Sequence, residues 1–371
     1  MRTETIAIPG TMPGTTVALT IHRFGDPGAR PKVYIQAALH ADEMPGMLVA
    51  DKLRTRLQAL ETQGKVAGEV VLVPVANPIG LAQRVLGTPI GRFDLSDGVN
   101  FNRAFPYLTG EVARRVDGRL GDDAAANATA IRDAFRAALA ELTPRTPAEH
   151  LKRALVSLAA DADWVLDLHC DAEAVMHLYT LTTSAGAFEP LARLLGVEAL
   201  LVAMESGGDP FDEALSRPWA ELRERWPDRA IPFGCHATTV ELRGQADVGH
   251  AFADPDAEAI LGFLSHAGVL STEPPALPPA RCAPTPLASS EPLIAPVAGI
   301  IAYREPVGAR VEAGAVIAEI IDPLAGTVTP VRTNSSGVLY TRVSLRFAMP
   351  GDRLGKVAGT DLRRSGPLLS P

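Results

Sequence analysis

Short apolar runs alternate with amphipathic segments over most of the chain. The run at 33–39 is apolar almost throughout, which is typical of a strand covered on both faces. Apolar residues then recur at helical spacing from 47 to 60, and a second apolar run follows at 69–75. This strand-helix-strand order predicts two parallel strands joined by a right-handed crossover. The pattern therefore indicates an α/β fold from its first unit onwards.

The same alternation continues as far as a closing helix at 254–266. Two helices, the first rich in alanine, are predicted at 122–142 and 147–160, because prolines between them break the helical pattern. The other predicted elements are strands at 16–21, 164–168, 176–182, 199–204 and 237–240, and a helix at 187–195. We assign residues 1–270 to one α/β domain.

The composition changes abruptly after this domain. Residues 271–292 are rich in proline and small residues, the usual composition of a stiff linker at a domain boundary. The segment at 293–371 lacks a helical period and repeats weakly, since 299–303 is matched by 337–341. Two similar halves suggest a small all-β domain that resembles the barrel-sandwich of biotinyl and lipoyl carriers. Lys356 lies outside the hairpin on which those carriers are modified, so we expect a structural cap.

Composition and charge narrow the class of protein. Hydrophobic residues make up 47% of the 371 residues, the formal net charge is −8, and no basic stripe marks a nucleic-acid or membrane surface. The first residues lack the apolar core of a signal peptide, and no run of about 18 apolar residues predicts a membrane span. The three cysteines are too few and too scattered for a disulfide framework. We expect a cytoplasmic enzyme that binds neither nucleic acid nor membranes.

The candidate chemistry begins where the first buried strand ends, at His40 and Glu43. An imidazole and a carboxylate three residues apart can converge on one cation, and they are usual ligands of catalytic zinc, although such a pair also recurs by chance. His169 follows directly after another apolar run, at the same edge of the sheet, and is the best candidate for a third ligand. A single histidine at a strand end is more often a hydrogen-bonded core or surface residue. His177 and His236 are candidates for supporting the ligands from behind.

A catalytic zinc ion with three protein ligands keeps its fourth position for water, whose pKa it lowers to about 7. A nearby carboxylate can take up the proton and later deliver it to a leaving amine. Glu241 is our choice for this base, because it ends an apolar run in a stretch with few charges. Glu205 is the alternative, and an ion pair with Arg243 at the surface would give Glu241 a purely structural role.

Asn102 and Arg103 supply the groups that a hydrolase of carboxylate substrates needs. A guanidinium can grip a carboxylate through two N–H donors, and the amide adds another donor. The same pair can instead serve to order its own loop. Arg92 can bind a second carboxylate or polarise the scissile carbonyl, and Arg84 is the alternative for that role.

In their order along the chain, these motifs resemble the succinylglutamate desuccinylase/aspartoacylase family of the zinc carboxypeptidase (M14-like) superfamily. The shared features are a strand followed by His-x-x-Glu, Asn-Pro after the next strand, an Asn-Arg pair, Asp-Leu-His, and a late strand that ends in Glu. The resemblance implies a doubly wound, mixed α/β sheet of zinc-carboxypeptidase type over residues 30–265, followed by a β-rich domain. It implies one zinc ion per chain on His40, Glu43 and His169.

The resemblance also implies roles for the remaining candidates. It makes Glu241 the general base and acid, and it assigns Asn102 and Arg103 to the substrate carboxylate. The arginine that stabilises the oxyanion falls best on Arg92. The implied reaction is hydrolysis of the amide bond of an N-acyl amino acid, a small-molecule substrate. At 100–103 the chain reads Asn-Phe-Asn-Arg, where the eukaryotic aspartoacylases have Asp-Leu-Asn-Arg.

Three hypotheses about function follow. The first is a zinc-dependent deacylase of N-acyl amino acids, the second a metallocarboxypeptidase on short peptides, and the third a non-catalytic binding protein with a zinc fold. The joint presence of His40, Glu43, His169 and Glu241 argues against the third, because a protein without turnover needs no such set. The sequence leaves open the acyl group, the amine, whether the protein is a homo-oligomer, and whether zinc, cobalt or manganese is the natural metal.

Overall fold

The computed structural model describes residues 1–360, 364–366 and 368, so the predicted end of the C-terminal domain at residue 371 lies outside the described residues. The strands before residue 290 are β1 (Arg2–Pro9), β2 (Thr16–Phe24), β3 (Lys32–Ala37), β4 (Glu69–Val73), β5 (Arg84–Val85), β6 (Thr88–Pro89), β7 (Trp164–Asp171), β8 (Glu173–Ala174), β9 (His177–Leu181), β10 (Ala199–Ala203), β11 (His236–Gly244) and β12 (Pro284–Pro286). The α-helices are α1 (Pro45–Thr62), α2 (Pro78–Leu81), α3 (Thr109–Val116), α4 (Ala124–Glu141), α5 (Pro147–Ala159), α6 (Glu189–Leu195), α7 (Phe211–Arg225) and α8 (His250–His266).

One mixed sheet organises most of these elements, with the strand order β1-β2-β4-β3-β7-β11-β9-β10-β12. At its centre β3 runs parallel to β4 and to β7, and β7 runs parallel to β11. β9 is antiparallel to β11, which makes the sheet mixed, as expected. The predicted parallel pair at the start of the chain is also confirmed, with Val33 in register with Val70.

Side chains of the central strands alternate between two apolar layers, one on each face of the sheet. Tyr34 and Val165 belong to the layer that packs against α3, α4, α5 and α7. Ile35 and Leu166 belong to the layer that packs against α1, α6 and α8. A sheet covered on both faces explains why its strands read as nearly continuous apolar runs.

Two strands extend beyond the apolar runs that predict them. β7 continues through His169 to Asp171, and β11 continues past Glu241, so these polar side chains project from within strands instead of following them. A polar residue that faces a cavity interrupts the apolar sequence pattern, but the hydrogen bonds between the strands continue past it. Helix α7 has no counterpart among the predicted elements, because Pro218 and the buried acidic pair Asp212 and Glu213 interrupt its apolar pattern.

The C-terminal part consists of short strands in two sheets around an apolar cluster of its own. Its strands are β13 (Ser290–Ile294), β14 (Gly299–Tyr303), β15 (Arg310–Val311), β16 (Val316–Asp322), β17 (Thr327–Arg332), β18 (Gly337–Arg342), β19 (Phe347–Ala348) and β20 (Arg353–Gly359). One sheet has the order β13-β20-β18-β15 and the other β17-β16-β14-β19, so the two repeated segments, β14 and β18, lie in different sheets. The likeness to a carrier-type barrel-sandwich stays a prediction.

The predicted linker contributes to both parts of the molecule. Within 271–292, β12 pairs with β10 at the edge of the large sheet, and β13 starts the C-terminal sheet. The same C-terminal sheet reaches back to the large one, because β18 pairs with β8, with Thr341 opposite Ala174. Among the described residues, no helix is long and apolar enough to cross a membrane.

Candidate metal centre

The turn after β3 carries the first two candidate ligands in a tightly held loop. Ala38 has a φ of 58°, which turns the chain out of the strand. The Asn77 amide donates to the Leu39 carbonyl at 2.9 Å, and the Ala41 N–H donates to the Gly91 carbonyl at 3.1 Å. A Cβ on Gly91 would lie 2.3 Å from the Asp42 nitrogen, so only glycine allows this close approach.

The loop brings His40 and Glu43 together with His169 from β7. Nδ1 of His40 lies 2.9 Å from Oε1 of Glu43, and Nδ1 of His169 lies 2.9 Å from Oε2 of the same carboxylate. The three potential ligand atoms lie within 4.8 Å of one another. All three side chains are buried. The structure thus brings the three predicted ligands to one point.

A polar group lies close to the other ring nitrogen of each histidine. Nε2 of His40 is hydrogen-bonded to Oδ1 of Asn100 at 2.8 Å, and Nε2 of His169 lies at ion-pair distance, 3.0 Å, from Oδ2 of Asp167 without the angles of a hydrogen bond. An amide oxygen only accepts, so the His40 Nε2–H must donate to Asn100, and the Nδ1 of the neutral ring then carries a lone pair. Partners of this kind orient histidines that bind metals through the opposite nitrogen.

The charges of the group favour a cation between its members. Burial lowers the pKa of His40 to about 4, so its unprotonated Nδ1 and the Glu43 carboxylate, both acceptors, face each other. Burial lowers the pKa of His169, but the Asp167 and Glu43 carboxylates raise it by a larger amount, so that the pKa of His169 is raised overall. Positive charge is therefore stabilised beside Glu43, and a divalent cation on two histidines and a glutamate fits this donor set.

Glu241 faces the same point from the neighbouring strand. It is in register with His169 across β7 and β11, so the two side chains lie side by side on one face of the sheet. Burial, with the nearby charge of Glu43, raises the pKa of the Glu241 carboxyl. Among the described residues, its Oε2 has no hydrogen-bond partner. A carboxyl in this state can hold or accept a proton close to neutral pH.

The predicted substrate-binding residues line the same cavity. Arg92 donates to Oε1 of Glu43 at 2.9 Å, and Asn102 and Arg103 also line the cavity wall. The Asn102 side chain is fixed, because its Oδ1 accepts the Phe211 N–H at the start of α7 at 2.9 Å. Arg84, the alternative to Arg92, is exposed on the β5–β6 hairpin and does not line the cavity.

The other candidates from the sequence lie away from the three ligands. Glu205 is exposed and pairs with Arg217 at 3.1 Å. His236 stacks on Trp164, with ring centroids 5.0 Å apart. His177 is buried and bonds through Nδ1 to the Val175 carbonyl at 2.9 Å. These histidines support the fold of the sheet around the site and form no hydrogen bond or ring contact with the three ligands among the described residues.

The cavity has a volume of about 380 Å³, and the C-terminal part forms one of its walls. Thr341 and Lys356 of the C-terminal part are among its lining residues. Among the described residues, no carboxylate oxygen lies within 4.0 Å of the Lys356 ammonium. Burial lowers the pKa of Lys356, but the charges of Tyr340, Asp171 and Glu241 outweigh burial, so that the pKa is raised. The C-terminal part therefore does more than cover the site, since it adds a charged side chain to it.

Sequence reasoning missed several residues of this site. Asp167 precedes His169 by two positions on the same face of β7, and that spacing is the signal that could have found it. Asn100 lies two residues before Asn102 in a polar loop and has no such periodic signal. Lys356 could not be placed, because its position depends on how the C-terminal sheet docks through β18.

Comparisons with known proteins agree with this architecture. Over residues 29–267 the chain matches the family model described as the succinylglutamate desuccinylase/aspartoacylase catalytic domain. A solved structure of a succinylglutamate desuccinylase/aspartoacylase family protein from Shewanella amazonensis is 29% identical, with a TM-score of 0.83, over 96% of this chain and 98% of its own. No curated protein matches the chain.

Two further solved structures carry the same family name. The one from Shewanella frigidimarina is 26% identical, with a TM-score of 0.83, over 96% of this chain and 97% of its own. The one from Rhodobacter sphaeroides is 18% identical, with a TM-score of 0.68, over 97% of this chain and 96% of its own, and shares the fold. The similarity to these structures spans both the α/β part and the C-terminal part.

Proposed function

This chain belongs to the succinylglutamate desuccinylase/aspartoacylase family of hydrolases, and from that premise we propose that it is a zinc-dependent deacylase that cleaves the amide bond of an N-acyl amino acid. One observation carries the proposal. Glu241 lies in register beside His169, so a base faces the buried set of His40, Glu43 and His169 inside one cavity. A ligand set and a base in one closed space are what metal-assisted hydrolysis needs.

Each side chain has a role that follows from its position. A zinc ion on His40, Glu43 and His169 supplies Lewis-acid chemistry, which activates water and polarises a carbonyl. The Glu241 carboxylate takes a proton from the attacking water and passes it to the leaving amine, so that the amine departs neutral. Burial of Glu241 favours the neutral form of its carboxyl, so the group can hold the proton between the two steps.

In this proposal, two arginine side chains in the cavity bind the substrate and polarise its carbonyl group. Arg103, whose Nη1 donates to the Asn102 backbone carbonyl at 2.7 Å, would bind the substrate carboxylate through its guanidinium, and the Asn102 NH₂ would add a donor, since the Asn102 side-chain oxygen is already bonded to Phe211. Arg92 donates to Glu43, and we assign to its guanidinium the role of stabilising negative charge on the acyl oxygen. These assignments are proposals that rest on position in the cavity.

The size of the cavity favours a small substrate over a peptide. About 380 Å³ accommodates a small molecule, and the C-terminal part, with Thr341 and Lys356, forms one wall of the cavity. A wall at this point leaves less room for a peptide chain than for a small N-acyl amino acid. The deacylase is therefore the better supported of the two hydrolases.

The proposal is tested by metal analysis of the purified full-length chain, together with turnover of N-acetyl, N-formyl and N-succinyl amino acids and of dipeptides. We expect about one zinc ion per chain and release of a free amino acid from at least one acylated substrate. Cleavage of dipeptides alone would instead identify a carboxypeptidase. A protein that takes up zinc and cleaves neither class would refute the proposal.

A further inference from the structure

Two buried acidic residues in the cavity wall have no part in the mechanism described above. Asp212 and Glu213 lie in the first turn of α7, line the cavity and are each 7% exposed. Among the described residues, no lysine, arginine or histidine nitrogen lies within 4.0 Å of either carboxylate, and the nearby Arg217 is paired with Glu205 and Glu221. Buried carboxylates without a cationic partner are costly, and proteins keep them where they serve a purpose.

A third polar group in the same wall also lacks a partner. Ser206 is 4% exposed and lines the cavity, and its backbone N–H donates to Oε1 of Glu213 at 2.8 Å. Its hydroxyl and the Oε2 of Glu213 are both buried, and neither has a partner with good hydrogen-bond geometry in the described part of the chain. Burial raises the pKa of the Glu213 carboxyl, and the Ser206 hydroxyl lies close enough to lower that pKa in part. Ser206, Asp212 and Glu213 each offer at least one oxygen acceptor, which is enough for the three N–H donors of one ammonium group.

This acidic wall adjoins the residues assigned to the substrate carboxylate. The bond from the Phe211 N–H to Asn102 places the two acids directly after a residue that contacts that subsite. The Ala104 N–H also donates to the Gly208 carbonyl at 2.8 Å, so the segments before α7 and after Arg103 lie against each other. A molecule with its carboxylate on Arg103 would therefore present a neighbouring group to Asp212 and Glu213.

From this arrangement we propose that Ser206, Asp212 and Glu213 form a subsite for a positively charged group of the substrate, next to the Asn102–Arg103 subsite. The inference rests on the proposed function and narrows its substrate class to N-acyl amino acids that also carry an amine. The simpler alternative is that the acids only neutralise Arg103. Among the described residues, neither acid lies within 4.0 Å of an Arg103 nitrogen, which argues against an ion pair as their sole purpose.

The test compares pairs of compounds that differ only by an ammonium group. Binding of L-ornithine and of L-norvaline to the zinc-loaded full chain is measured by calorimetry, and turnover is measured with Nα-acetyl-L-ornithine and N-acetyl-L-norvaline. We expect the ammonium-bearing member of each pair to be favoured by at least about tenfold. The lysine and norleucine pair tests the distance from the carboxylate to the amine.

Variants assign the preference to the acidic wall. Glu213→Gln and Asp212→Asn should each reduce the ratio of ornithine to norvaline binding towards one, whereas Glu224→Gln, an exposed acid on the same helix, should keep the ratio of the parent protein. Equal binding of ornithine and norvaline to the parent protein would overturn the inference, as would a preference that both wall variants retain. Preferred binding of ornithine without any hydrolysis would sustain the inference and refute only the deacylase proposal.

Discussion

At the scale of single residues, the centre is defined by which nitrogen of each histidine faces which partner. His40 and His169 both direct Nδ1 to Glu43, while Asn100 and Asp167 occupy their Nε2 sides. The types of the ligand residues do not by themselves fix this arrangement. Asn100 and Asp167, next to the Nε2 atoms, orient the two rings, so substitution of such a partner is the most direct test of the proposed metal site.

Asp167→Asn removes the charge behind His169 and keeps the shape of the side chain. We expect the affinity for zinc to fall about 10- to 100-fold, because the outer partner orients the ring and raises its basicity. Competition with a chelator measures the change, and Asp51→Asn on the exposed face of α1 is the matched control. An unchanged affinity would show that Asp167 does not support the ligand.

Glu241→Gln keeps the size of the proposed base and removes its ability to exchange a proton. We expect kcat to fall by at least about 100-fold with zinc still bound, because proton transfer to the leaving amine is lost. Glu205→Gln, at the exposed alternative position, should retain activity. Comparable losses in both variants would contradict the assignment of Glu241.

At the scale of elements, strands present the candidate site, and the start of one helix fixes the loop that carries the proposed substrate-binding residues. The sequence predicts β3 and β4 well, since strands covered on both faces are continuously apolar. It underestimates β7 and β11 because His169 and Glu241 are polar residues inside strands that face a cavity. It misses α7 because burial of Asp212 and Glu213 depends on tertiary contacts that no local pattern records.

Asn102 links its loop to α7, and two substitutions separate its structural and binding roles. Asn102→Ala leaves the buried Phe211 N–H without an acceptor, which should lower the free energy of unfolding by about 1–3 kcal/mol. Asn102→Asp keeps the acceptor and should lose less stability, but its charge repels a substrate carboxylate and should raise KM. Urea unfolding and steady-state kinetics measure the two effects. Equal losses of stability in both variants would contradict the capping role.

At the scale of the whole molecule, the large sheet and the C-terminal part meet around a buried histidine. His177 on β9 packs against Tyr340 of β18, with ring centroids 5.1 Å apart, and its Nε2 has no hydrogen-bond partner in the described residues. Val175, Leu201 and Leu287 complete an apolar cluster between the two parts. The sequence suggests His177 as a candidate near the site but does not predict its contact with Tyr340, because that contact depends on how the C-terminal part packs against the large sheet.

Protonation of His177 should weaken the folded state. Burial lowers its pKa from 6.5 to about 4 in the folded protein, so between these values the unfolded chain binds a proton that the folded chain does not. Stability should therefore fall as the pH falls through this window, with a slope of up to about 1.4 kcal/mol per pH unit from this residue. Urea unfolding at several pH values measures the slope.

The slope should be smaller in His177→Phe than in the parent protein. His250→Gln, at an exposed histidine that starts α8, should keep the slope of the parent and serves as the control. An identical slope in His177→Phe would show that other groups cause the acid sensitivity.

The pairing of β8 with β18 begins two residues after the strand that carries His169. The proline-rich segment 271–292 has the composition of a domain boundary, but a protein cut there would give two fragments that each lack part of the cavity lining. Recombination that exchanges the C-terminal region would replace one cavity wall and leave the candidate metal ligands untouched. Evolution can thus change what such an enzyme accepts without rebuilding the chemistry that acts on it.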